Sequence, residues 1–166
     1  MVSGAVSDIG KAREKNQDAY YASKDLSLPL YMVADGMGGH NAGEVASTMA
    51  MNIIKNNFIA NKDLLTSKKT IFELIKKSIE EANTKIYLKS LENDDCKGMG
   101  TTITLAYIFN KEVCIGHVGD SRAYLIRNDN VIQITEDHSY VNELIKIGSI
   151  TKEEAINHPK KNMITR

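Results

Sequence analysis

The chain has 166 residues, 42% of them hydrophobic and 25% charged, which fits one soluble domain able to bury a core. Its 21 basic side chains balance its 21 acidic ones, so charge recruits neither nucleic acid nor an anionic membrane surface. No apolar run suits a signal peptide or a bilayer span, and a cytoplasmic protein is expected.

In chain order, "DAYYAS" and "LPLYMVAD" read as two short strands joined by a turn near Ser27 and Pro29. "AGEVASTMAMNIIKNNFI" carries Val45, Met49 and Ile53 beside Ala42, Ala46, Ala50 and Ile54, one broad apolar stripe on a helix. "TIFELIKKSIEEANTKIYLKSL" repeats the pattern with Ile71, Ile75, Ile79, Ala82 and Ile86, and predicts a second helix. After the polar "ENDDCKG" loop, "TTITLAYIF", "EVCIGHVGD", "RAYLIR" and "VIQIT" are β-rich segments split by "NK" and "NDN", as in an antiparallel meander. The tail "SYVNELIKIGSITKEEAINHP" reads as two short helices, the second opened by a capping box of Thr151 and Glu154. Strands, two helices and more strands give an α+β fold. The two cysteines lack zinc-site or disulfide spacing; Cys96 reads as an exposed loop thiol and Cys114 as a buried strand residue.

Three acids stand at strand edges or ends: Asp18 in "REKNQDAYY", Asp35 in "VADGMGG" and Asp120 in "HVGDSRAYL". Carboxylates so placed can converge on one cleft, and hard divalent cations such as Mg²⁺ and Mn²⁺ take oxygen ligands plus retained waters. The glycines after Asp35 suggest space for a hydrated ion, for a phosphate and for a main-chain carbonyl to approach. Each feature has an ordinary counterpart. Asp-Gly is commonly a turn, Asp120 can cap its own loop, Arg13 can be a solvated charge, and His40 can face water.

Together, "SDIGKAREKNQDAY", "VADGMGGHNAGEVAS", "GMGTTITLAYI", "GHVGDSRAYLIR", "ITEDHS" and "HPKKNMITR" closely resemble the bacterial branch of the metal-dependent type-2C protein phosphatases, from Ser3 to Arg166. The resemblance implies an αββα sandwich, with two packed, mostly antiparallel sheets flanked by helices. It also implies a single domain over 1–166, with a mobile flap near residues 139–162. At one end of the sandwich it implies a binuclear Mn²⁺/Mg²⁺ centre. Asp35 matches the acid bridging the two ions, Gly36 the residue lending its carbonyl, and Asp18 an acid that orients metal-bound water. Asp120 matches the acid of a third, weaker metal, Arg13 the grip on the substrate phosphate, and His40 the proposed general acid. The implied reaction is hydrolysis of phosphoserine and phosphothreonine in proteins, in bacteria commonly opposing a Ser/Thr kinase.

The sequence departs from the family at two points. Gln17 stands where many relatives have Glu, and the family's later "SDG" and "DN" acids have no counterpart in matching positions. The chain looks like the N-terminal two-thirds of a phosphatase domain. An enzymatic parent, with this stretch weak or inactive by itself and prone to self-association, is set against a non-catalytic fragment or binding module that keeps phosphate and partial metal contacts.

Overall fold

The computed structural model describes residues 2–11, 13–39 and 42–165. They form an α+β fold that divides into two compact units, residues 1–116 and 117–166.

The first unit is built on a sheet in the order β1 (Asp18–Ala22), β2 (Leu30–Met37), β4 (Ile103–Phe109), β5 (Glu112–Val118), with the two-residue β3 (Gly100–Thr101) also paired to β2. The β1–β2 pair is antiparallel and sets Asp18 opposite Asp35 and Tyr20 opposite Val33. Strand β2 alternates strictly: Leu30, Met32, Ala34 and Gly36 are buried, whereas Val33, Asp35 and Met37 are exposed. This two-residue period gives the sheet one covered face and one outward face.

Two helices cover the inner face. Helix α1 (Ala42–Ala60) buries Ala42, Ala46, Ala50, Ile54 and Phe58, while Val45, Met49 and Ile53 lie at the margin of its stripe. The small alanines let the helix lie close to β2, and Phe58 fills the wider end against Tyr107, with ring centroids 5.3 Å apart. Helix α2 (Lys68–Glu92) starts at a capping box of Ser67 and Thr70 and buries Ile71, Leu74, Ile75, Ala82 and Ile86. Both predicted helices are therefore present, with their apolar stripes turned to the core.

Cys96 corrects an expectation. It is buried, because Asn93 caps a short 3₁₀ turn over Asp94–Cys96 that tucks the thiol into the main core. Cys114 is buried on β5 as expected, and burial raises the pKa of its thiol.

The predicted meander also needs correction. Its first two segments join the large sheet, whereas β6 (Tyr124–Arg127) and β7 (Asn130–Gln133) form a separate antiparallel hairpin in the second unit. Both tight turns were legible. Asn110 and Lys111, and Asn128 and Asp129, have positive φ, as two-residue hairpin loops require. Helices α3 (Tyr140–Lys146) and α4 (Lys152–Ile156) follow, the latter with the expected Thr151–Glu154 capping box. A bridge between Ser139 and Ile164 closes this excursion at its base. The Tyr140 N–H donates to the Met163 carbonyl, and the Thr165 N–H to the His138 carbonyl.

Candidate functional site

Three stretches of main chain cross at one point in the first unit. The Gly36 N–H donates to the Gln17 carbonyl at 3.1 Å, and the buried Ser47 hydroxyl of α1 donates to that same carbonyl at 2.7 Å. A Cβ on Gly36 would lie 2.1 Å from the Gly43 carbonyl oxygen and 2.5 Å from that of Gln17. The absent side chain thus makes room for packed main chain. Gly38, at φ +150°, begins the turn into α1, and a Cβ there would meet the Ala42 side chain at 2.9 Å.

This crossing fixes the residues beside it. Asp18 and Asp35 face each other across β1 and β2, on the outward side of the sheet. Together with Arg13, Asn16, Gln17, Asp8 and Ile9 they line a cavity of about 170 Å³. Three expected site residues, Arg13, Asp18 and Asp35, thereby share one polar recess. Asp8 is an acid that the sequence reading missed. Its carboxylate accepts the Gly10 N–H at 2.7 Å, a local turn whose place beside Asp35 only the fold reveals.

Gly36 is buried behind Asp35. His40 lies outside the described residues. Asp120 belongs to the second unit, in the bend that follows β5, and is half-buried. Its loop is held on several sides within that unit. The Gly119 N–H donates to His138 Nδ1 at 3.2 Å, and the His138 N–H returns a bond to the Gly119 carbonyl at 2.8 Å. Arg122 grips Asp137 through both carboxylate oxygens, at 2.8 and 2.6 Å, and this raises the guanidinium pKa further.

The donors suit a hard cation. Asp18 and Asp35 present carboxylate oxygens, and hydrated Mg²⁺ needs only one or two protein carboxylates. Among the described residues, no group of three or more His, Cys, Asp or Glu is placed to hold a metal ion. The facing carboxylates of Asp18 and Asp35 thus suit a divalent ion that keeps several of its waters.

A family model described as Protein phosphatase 2C matches residues 4–144. The chain belongs to the protein phosphatase 2C family. It is 44% identical over 161 residues to the Serine/threonine phosphatase stp of Listeria innocua, which covers 96% of this chain and 63% of that protein. It is 38% identical over 169 residues to Protein phosphatase PhpP of Streptococcus pneumoniae, covering 100% and 67%. Among protein phosphatase 2C structures, the serine/threonine phosphatase of S. agalactiae superposes with a TM-score of 0.90 at 41% identity, over 97% of this chain and 66% of that one. The catalytic domain of the phosphatase PstP, solved in complex with two manganese ions, superposes with a TM-score of 0.75 at 35% identity, over 90% and 61%. The chain thus spans just under two thirds of the length of the Listeria relative.

Proposed function

We propose that the protein hydrolyses phosphoserine and phosphothreonine in other proteins, using Mn²⁺ or Mg²⁺ bound at the Asp35 recess. The observation that carries this reading is the meeting of Asp18, Asp35 and Arg13 around one cavity in a protein phosphatase 2C fold. Bound divalent ions, two and with Asp120 a third, would activate the attacking water and offset phosphoryl charge.

The chain's own residues supply the rest. Asp35, with the Gly36 carbonyl, provides the anchoring oxygens. Asp18, directly across the strand pair, accepts hydrogen bonds from water in the recess and orients it. Arg13 offers a planar fork to two phosphate oxygens. His40 is assigned the proton for the serine or threonine alkoxide, a poor leaving group. The single-domain organisation, the flap near 139–162, the cytoplasmic setting and opposition to a Ser/Thr kinase belong to the same proposal. No described helix is long and apolar enough to cross a membrane.

The test is hydrolysis of a phosphothreonine peptide by the intact protein with Mn²⁺, with and without chelator. Turnover that persists in chelator, or in Asp35→Asn, would sink the reading. For residues 1–166 alone, the described residues place no group of three or more His, Cys, Asp or Glu to hold a metal ion, which favours phosphate binding with little turnover.

A further inference from the structure

In a regular antiparallel ladder, the facing residues of a hydrogen-bonded pair exchange two main-chain N–H···O bonds. Strand β2 sets Val33 opposite Thr104 and Gly36 opposite Thr101, so the same register makes Asp35 and Thr102 a facing pair. The Thr102 N–H donates to the Asp35 carbonyl at 2.9 Å, as a ladder requires. The Asp35 N–H goes elsewhere: it donates to the side-chain oxygen of Thr102, also at 2.9 Å. The Thr101 hydroxyl lies 3.0 Å from both the Asp35 and the Thr102 carbonyl oxygens, within reach to donate to each. Thr102 falls in the gap between β3 and β4, where regular pairing is interrupted. Two hydroxyls from adjacent threonines thus hold both main-chain polar groups of the one residue that carries the central carboxylate.

Packing alone does not call for this arrangement. Valine has nearly the same shape as threonine and suits a strand at least as well. Thr102 is only 2% exposed, so its hydroxyl works away from water, where hydrogen bonds are firm and a lost partner is costly. The register also puts Asp18, Asp35 and Thr102 in one cross-strand row, with the proposed ligand in the middle. A metal-binding carboxylate must be held within about half an ångström of its productive place.

We propose that Thr101 and Thr102 are positioning residues whose hydroxyls fix the Asp35 peptide, and so aim its carboxylate at the divalent ion. This rests on the reading of Asp35 as a metal ligand, and the experiment separates the two. In the intact protein, Mn²⁺ affinity is read from the electron paramagnetic resonance signal of the free ion. Kinetic constants on a phosphothreonine peptide and thermal midpoints are recorded alongside.

Thr102→Val is expected to weaken Mn²⁺ affinity about 10–100-fold, the usual cost of losing a group that orients a ligand. At saturating Mn²⁺ it lowers kcat and leaves the peptide KM unchanged. Thr102→Ser, which keeps the hydroxyl, restores most of the affinity. Thr104→Val alters another buried threonine of β4 and leaves Mn²⁺ binding at the wild-type level. Wild-type affinity in folded Thr102→Val, or an equal loss in Thr104→Val, overturns the proposal. Should Thr102→Val not fold, Thr101→Val at its less buried site carries the same test, and unchanged Mn²⁺ affinity there overturns it. Asp35→Asn is the separate control. Wild-type Mn²⁺ binding in that variant removes Asp35 as a ligand, whereas its loss beside a normal Thr102→Val removes only the role of the threonines.

Discussion

At the scale of single residues, the proposed function gives Arg13 a gripping role and Asp35 an anchoring one. Arg13→Ala removes a charge-assisted contact worth about 1.5–3 kcal/mol and should chiefly raise KM for a phosphothreonine peptide. Asp35→Ala should abolish turnover at any substrate concentration. Equal and mild losses in steady-state kinetics would contradict the division. A different residue governs acid behaviour. Hydrogen bonds from the Ser27 side chain and main chain, then from Lys62, lower the Asp25 carboxyl from 3.8 to about 2. A folded pKa below the unfolded one contributes stability above pH 3.8 that is lost as the pH falls toward 2. Because Lys62 follows α1, this contact ties the β1–β2 loop to the end of that helix. Asp25→Asn should lower the thermal midpoint at neutral pH and converge with the wild type near pH 2. A constant difference across that window would show that charge is not the cause.

At the scale of elements, close main-chain packing decides what can be changed. Gly36→Ala sets a methyl group against two carbonyl oxygens that belong to rigid backbone. It should cost at least the ~1–3 kcal/mol typical of overpacking, read by chemical denaturation. A neutral result would mean that the start of α1 yields easily. In the second unit, the Arg122–Asp137 fork joins the loop of Asp120 to the approach to α3, and the Asp137 side chain is only 16% exposed. Removing the guanidinium leaves a largely buried carboxylate without its main partner. Arg122→Ala should therefore destabilise by about 1.5–3 kcal/mol, and Arg122→Lys should recover part of the loss without the paired geometry. If both variants melt alike, the two-pronged grip is not what matters.

At the scale of the whole molecule, the outward face of the sheet is unusual for a closed domain. Tyr20, Val33 and Met37 are about half exposed on the side that also carries Asp18 and Asp35. Apolar side chains on an open sheet face invite association. Residues 1–166 prepared alone should self-associate with concentration, measured by sedimentation velocity, and a clean monomer at high concentration would count against this. The same preparation should hydrolyse p-nitrophenyl phosphate far more slowly than the full-length protein in millimolar Mn²⁺. Two hydrated ions need more converging ligand charge than the described residues bring together, since no group of three or more His, Cys, Asp or Glu is placed to hold a metal ion. Comparable rates would show that no further acids are needed.

The sequence by itself determined what depends on neighbours along the chain. Helix stripes of period 3.6, the Thr151–Glu154 capping box and the Asn-Lys and Asn-Asp turns all express contacts within a few residues, and each is present. Its string of motifs also pointed to the family that the comparison with known proteins establishes. The tertiary structure decided whatever hangs on register and close approach. Asp18 faces Asp35 because the β1–β2 pairing puts them in line; a slip of one residue would turn every side chain of a strand to the other face. Likewise the sheets divide the β-segments between two units, and the core takes in Cys96. The hydrogen bond from Asp35 to Thr102 spans 67 residues, and no local pattern encodes such a partner. Gly36 looked in sequence like room for a ligand, but the main chain of Gln17 and Gly43 takes the space beside it. Which atoms enter such a gap is settled only when distant segments pack together.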